Sequence, residues 1–336
     1  MSTLTGTPTT TTADRTRRPR LSGMTWLVWR QHRATYWTVL CAAVLLAAWM
    51  TYQHIQLMDF LDASDWTDKD VARSGEKSDA HIEPMRWIWP VLAMIPIVLG
   101  VFVGAPLLAG DLEHGTSKLV VTQSGSGARW LATKLGVTAL VIGVTTTALS
   151  ISYGRWSDAL QDSLMPWMSW AEGSTFDNTG PVPVALSLFT VVGGLAIGLV
   201  LRRTLAAMVV TFGFGILVQF VWGHFRLSLG DVVTLTTDNG AFAESAQPQI
   251  PDSAYGIDIS YITSNGDLLG RSTCFSEKTE QARELCLKQA DVVGWSVEYL
   301  PKSQMAGMQW LGSSILLALT AAVTVFLFTW GRKRLV

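Results

Sequence analysis

The chain has 336 residues, 49% of them hydrophobic, and 25 Lys and Arg stand against 26 Asp and Glu for a formal charge of −1. The balance conceals a segregation. Ala34–His54, Trp87–Leu108, Leu135–Gly154, Pro181–Leu201, Thr204–Phe225 and Gly307–Gly331 contain no Lys, Arg, Asp or Glu, although 15% of the chain is charged. An ordinary water-soluble domain does not keep such gaps; about 20 apolar residues are what a helix needs to cross a bilayer. The expected fold class is an all-α polytopic membrane protein with six spans and no nucleic-acid partner.

Residues 1–20 are rich in Thr, Pro and Arg, with almost nothing to bury, and read as a disordered tail. Residues 21–33 carry Trp26 and Trp29 with Met24, Leu27 and Val28, followed by Arg30, His32 and Arg33. That composition suits a short amphipathic helix in the headgroup layer, or equally the aromatic and basic belt at the end of the first span. No small-residue cleavage pattern follows the first apolar stretch, so it reads as a retained helix rather than a signal peptide.

Six crossings put both termini on one side with the loops 109–134 and 202–203. That side collects 14 of the Lys and Arg and only three acids, Asp14, Asp111 and Glu113; the opposite side holds 11 bases and 23 acids. Basic residues near span ends stay on the cytoplasmic side, so both termini are expected to be cytoplasmic in a cell membrane. Long segments translocate regardless of charge, and leaving out 226–306 does not change the result.

In the second span, Pro90, Pro96 and Pro106 remove backbone donors and are expected to bend or irregularly wind the helix. Gly100/Gly104 and Gly194/Gly198 are G-x-x-x-G pairs that permit, without requiring, close helix contact. In the fifth span, Gln219 and His224 are expected to face protein or a cavity. Cys41 reads as a small apolar filler. Cys274 and Cys286 lie in the long outer segment, where oxidising conditions allow a disulfide, with two free thiols as the alternative.

The rest of 226–306 reads as a small α+β extracytoplasmic element. Tyr255–Ile262 alternates apolar and polar residues and ends at the turn Ser264-Asn265-Gly266. Glu277–Ala290 has helical composition, and Asp291–Leu300 reads as a second strand. The sixth span and a basic tail, 307–336, complete the chain.

Catalytic motifs are missing. No G-x-x-x-x-G-K-[ST] phosphate loop occurs, and no H-E-x-x-H. Ser124-Gly125-Ser126-Gly127 is not the G-x-S-x-G elbow and reads as a flexible turn. The chain is therefore not expected to be an enzyme or to hold a cofactor or metal.

One segment goes beyond composition. After the second span come Asp111, Glu113, Gly115 and Thr116, then a Ser-containing polar turn, then Arg129-Trp130-Leu131 and Lys134 leading into the third span. This acid-x-acid-x-Gly-Thr run resembles the first inner loop of type-2 ATP-binding-cassette (ABC) transporter permeases. The basic stretch Trp29-Arg30-Gln31-His32-Arg33, the six-span layout and Gln309-Trp310 at the start of the last span are closest to permeases common in actinobacteria. The resemblance implies a separate ATP-binding subunit that carries ATP and Mg, and a second permease chain, identical or a close relative. It also implies that Asp111, Glu113, Gly115, Thr116, Arg129 and Lys134 couple this chain to the ATPase. The bare residues allow a blander role for each, as loop caps and positive-inside charges. An amphipathic exported substrate (lipid, drug, peptide or polysaccharide precursor) is the implied cargo. No ring of charge lies inside the spans, which argues against an ion or proton relay. A membrane-anchored sensor or assembly scaffold built around 226–306 is the competing reading.

Overall fold

The computed structural model describes residues 24–64, 76–115, 127–160, 169–238, 247–251 and 253–334. The predicted tail 1–20, Thr116 and the turn at Ser124 lie outside the described residues. Among the described residues, six helices are long and apolar enough to cross a membrane. They run through Met24–Ser64, Glu76–Leu99 continued to Glu113, Gly127–Asp158, Val182–Leu201, Thr204–Phe225 and Met305–Arg334. Residues 24–33 continue without a break into the first span, so the first helix extends well beyond the apolar stretch at both ends. Charge-free stretches mark where hydrocarbon must be met; hydrogen bonding carries the helices past those limits.

The second helix has the expected irregularity. Pro84, Pro90 and Pro96 lie inside its first segment, and Gly100–Gly104 form a π turn before Ala105–Glu113 resumes α geometry with Pro106 in its first turn. Proline offers no N–H to the preceding turn, and a π turn is one way a helix absorbs that mismatch. The Thr190 hydroxyl of the fourth helix donates to the Pro96 carbonyl at 2.7 Å, supplying a bond from outside the helix.

The two glycine pairs meet each other. A Cβ on Gly100 would lie 3.0 Å from the Thr190 carbonyl oxygen, and one on Gly104 would collide with the Val191 carbonyl. From the other side, a Cβ on Gly194 would approach the Gly100 carbonyl to 2.7 Å and one on Gly198 the Ala105 carbonyl to 2.5 Å. The second and fourth helices therefore touch backbone to backbone, which only glycine allows. Around this axis pack Leu107, Leu108, Trp130, Leu131, Leu195, Leu199 and Leu327, joining the second, third, fourth and sixth helices. Gln219 of the fifth helix donates to the Ala93 carbonyl at 3.0 Å, an interhelical bond as expected. His224 and Cys41 instead lie exposed on their helices, contrary to the expectation that His224 faces protein.

Between the fifth and sixth helices stands an antiparallel four-stranded sheet of order β1-β4-β2-β3, with β1 Val233–Thr237, β2 Tyr255–Thr263, β3 Leu268–Gly270 and β4 Val292–Leu300. A helix at Glu280–Gln289, capped by the Thr279 hydroxyl, lays Leu287 against Tyr261, Val292 and Trp295. Cys274 and Cys286 form a disulfide with Cα atoms 5.9 Å apart, tying the segment after β3 to this helix. Gly294 sits where any side chain would strike the Thr237 carbonyl of β1.

Two outcomes follow. Replacing Gly104 or Gly198 with Leu forces the helices apart, and overpacking against backbone costs about 3 kcal/mol; a marked drop in the thermal unfolding midpoint in detergent is expected, where Gly213→Leu, facing open space, serves as the mild control. Replacing Cys274 and Cys286 with Ser removes a short cross-link worth about 3 kcal/mol, so limited proteolysis should cut first between β3 and β4 while the spans stay protected.

Candidate functional site at the basic ends of the spans

Asp111 and Glu113 are two residues apart on one helix, so their side chains leave it on nearly opposite sides. Asp111 turns inward and is 7% exposed. It pairs with the Lys134 ammonium of the third helix, which is fully buried, and accepts from Gln31 Nε2 of the first helix at 2.7 Å. Lys134 Nζ also donates to the Leu107 carbonyl at 3.0 Å and lies 4.6 Å from the Trp130 ring centre. A buried charge is tolerable only when paired and hydrogen-bonded, and both conditions hold here. Three helices are thereby fastened at one point. Close by, the Tyr36 and Thr138 hydroxyls, 2.9 Å apart, join the first and third helices again.

Glu113 turns outward. Its Oε2 accepts the backbone N–H of Thr204 at 2.8 Å, the first N–H of the fifth helix. Arg203 occupies the cap position of that helix and supplies no side-chain cap. A carboxylate from another helix therefore satisfies an orphan donor at the positive end of the helix dipole. Arg202, at φ 56°, takes the left-handed conformation that turns the fourth helix into the fifth. The second helix ends in the same neighbourhood: Gly115 has φ 69°, and its N–H reaches the Leu112 carbonyl at 3.4 Å. Arg129 is exposed in the first turn of the third helix.

Of the six residues singled out by sequence, Asp111 and Lys134 are thus buried together as an internal strut. Glu113, Gly115 and Arg129 stay at the surface, and Thr116 is outside the described residues. Gln31 and Thr204 complete the site. The first stood in the basic stretch and the second opened the fifth charge-free stretch, yet nothing in their spacing places them beside Asp111 and Glu113.

A second polar centre lies at the opposite ends of the spans. Residues 169–181 connect the third and fourth helices but are largely buried, with Trp170, Phe176 and Val182 packed against Trp222, Leu300 and Met308. Asp177 accepts from Arg226 NH1 at 2.6 Å and from Trp222 Nε1 at 2.7 Å. Gly173 leaves room for that guanidinium, since a Cβ there would be 2.5 Å from it. Gln309 Nε2 donates to the Phe176 carbonyl at 3.0 Å and the Thr179 carbonyl at 3.2 Å. Trp170 Nε1 donates to the Ser253 carbonyl at 2.8 Å, linking the segment to the sheet-bearing element. The sequence hint was the pair of opposite charges at adjacent span ends, Asp177 before the fourth and Arg226 after the fifth.

Burial raises the Asp177 carboxyl above its ordinary value, against the opposing pull of Arg226 and Trp222. A carboxyl raised in the folded state contributes stability that is full below its unfolded pKa and is lost as pH rises through the folded one. Asp177→Asn should remove that component, so the unfolding midpoint of the unsubstituted chain relative to the variant should fall as pH rises through the folded pKa, and a difference independent of pH would contradict it.

The basic-end strut makes a sharper prediction. Asp111→Leu strands the buried Lys134 charge and should destabilise by about 3–5 kcal/mol, whereas Asp111→Leu with Lys134→Met should recover most of the loss. Thermal unfolding of the two singles and the double decides it; strictly additive losses would show that the pair does not act as a unit.

The family described as ABC-2 membrane transporter related matches residues 40–226. The match contains the glycine contact, the Asp111–Lys134 pair, the Glu113–Thr204 bond and the Asp177–Arg226 pair, and stops before the sheet. No curated protein and no solved structure matches the chain.

Proposed function

We propose that this chain, which belongs to the ABC-2 membrane transporter related family, is the permease subunit of an ATP-driven exporter of an amphipathic substrate. Both termini and residues 109–134 face the cytoplasm of a bacterial cell, where a separate ATP-binding subunit docks, and a second permease chain completes the pathway. The segregation of basic residues onto that side supports the orientation. The observation that carries the mechanism is the Glu113–Thr204 bond: an exposed side chain at the end of the second helix holds the first N–H of the fifth.

A partner that displaces Gly115 and the residues after it pulls on Glu113 and therefore on the fifth helix. It pulls equally on Asp111 and, through Lys134 and Gln31, on the third and first helices. One docking surface thus addresses four spans. The chain's own residues supply only this linkage; ATP hydrolysis supplies the work on the partner.

Gentle solubilisation of the full chain should co-purify an ATP-binding subunit in stoichiometric amount. Glu113→Ala removes the cap on the fifth helix and should leave that capture intact while lowering substrate-stimulated ATP hydrolysis. Failure to capture any ATPase under several mild conditions would defeat the proposal and favour a sensor or scaffold built on the sheet-bearing element. Unchanged stimulated hydrolysis in Glu113→Ala would remove the coupling role.

A further inference from the structure

Next to the buried segment 169–181, the second, third and fourth helices leave a small cavity between them. Leu92 and Pro96 of the second helix line it, with Thr146 and Ser150 of the third, Ser187 of the fourth and Asn178 of the segment. Its volume is about 20 Å³, above the roughly 10–15 Å³ that one water molecule needs. No Lys, Arg, Asp or Glu lines it. Ile95 and Leu149 line both this cavity and a wider apolar groove beside the first helix.

The polar groups around the cavity have capacity to spare. Ser187 is fully buried, and its hydroxyl has no hydrogen-bond partner among the described residues. Neighbouring hydroxyls differ: Thr190 donates to the Leu186 carbonyl at 2.9 Å as well as to Pro96, and Thr146 donates to the Ile142 carbonyl at 2.7 Å. Leu92 stands one turn before Pro96, and proline has no N–H with which to close the helical bond to the Leu92 carbonyl. Ser150 donates to the Gly180 carbonyl at 3.0 Å, and Asn178 Nδ2 to the Gly173 and Ser174 carbonyls at 3.2 and 3.0 Å. Both side chains keep oxygen lone pairs for an incoming donor. An apolar occupant would leave the Ser187 hydroxyl unmet, which is costly in the interior. Buried waters make about three hydrogen bonds to groups of this kind.

We infer that a water molecule binds in this cavity, accepting from the Ser187 hydroxyl and donating to the Leu92 carbonyl, so that it bridges the fourth and second helices at the Pro96 break. Thr190 serves the Pro96 carbonyl from the same helix as Ser187. The break is thus bonded by two partners from outside its own ladder. A water can leave and return, so the second helix can bend at Pro96 without losing a backbone bond. The site does not depend on whether the chain transports anything, and it stands or falls separately from the permease reading.

The test is X-ray radiolytic footprinting of the full chain in lipid nanodiscs. Hydroxyl radicals formed from a bound water oxidise the side chains beside it, and mass spectrometry locates the added oxygen. Leu92 and Pro96 should be oxidised well above Leu195 and Leu199, which are buried as they are but lie away from the cavity. Ser187→Val removes the hydroxyl and fills the space from the fourth helix; Thr146→Leu fills it from the third. Each should bring Leu92 and Pro96 down to the level of Leu195 and Leu199. The two approach from different helices, so misfolding of one, seen as aggregation on size exclusion, leaves the other to decide. Ser313→Val removes a hydroxyl that is equally buried and unpartnered but does not line the cavity, and should leave the oxidation unchanged. Oxidation of Leu92 and Pro96 no greater than that of Leu195 and Leu199 would overturn the inference. So would oxidation that persists in both filled variants, since the water would then sit elsewhere. Labelling of Leu92 and Pro96 by a phospholipid with a mid-chain diazirine would overturn it too, because an acyl chain would then reach in from the groove.

Discussion

Glycine at four positions lets the second and fourth spans touch backbone to backbone, and the other helices are arranged around that contact. Inside a bilayer, leucine on a helix gains nothing by leaving lipid for another helix, so association depends on close packing and hydrogen bonds. Gly100, Gly104, Gly194 and Gly198 provide the packing. The π turn over Gly100–Gly104 and the Thr190 bond to Pro96 occur at the same place, where the second helix is least regular. A helix rich in proline is thus held by an outside partner where its own ladder is weakest.

From this axis the fastening differs at the two ends. At the basic ends, charged groups reach across: Lys134 to Asp111, Gln31 to Asp111, Glu113 to the fifth helix. At the sheet-bearing ends, a buried connecting segment is wedged between helices and tied by Arg226, Trp222 and Gln309. The fifth helix is gripped at both of its ends by carboxylates belonging to other parts of the chain, Glu113 and Asp177. A helix held at both ends is the arrangement that the proposed mechanism uses, with force entering at one face and the pathway changing at the other.

Much of this was legible in the sequence because membranes impose simple rules. Gaps in charge located six spans and alternation located β2, while Asp291–Leu300 was read as a strand that turns out to be buried along almost its whole length as β4. Strands β1 and β3 were missed for a physical reason: five residues reading VTLTT and three reading LLG carry too little pattern, and both are strands only because β4 and β2 offer them edges. Asp111, Glu113 and Lys134 were noticeable as charges beside apolar stretches. Their separate roles depended on the second helix remaining helical through Glu113, which directs one carboxylate inward and the other outward. Lys134 counted in sequence as a basic loop residue, whereas the third helix begins seven residues earlier, at Gly127, and carries it to the interior. Gln31 and Thr204 were out of reach, since their contacts span 80 and 91 residues of chain.

The central claim is that the basic end of the second helix moves the fifth helix with it when a nucleotide-driven partner acts. Pulsed electron–electron distance measurements test this directly, with spin labels at the exposed positions His114 and Leu205 in an assembled transporter carrying one labelled permease copy. A second label pair, His114 with exposed Ile257 of β2, reports on motion relative to the sheet-bearing end. The account predicts that binding of a non-hydrolysable ATP analogue leaves the 114–205 distance unchanged while shifting the 114–257 distance. A change in the first distance, or no change in the second, would contradict it.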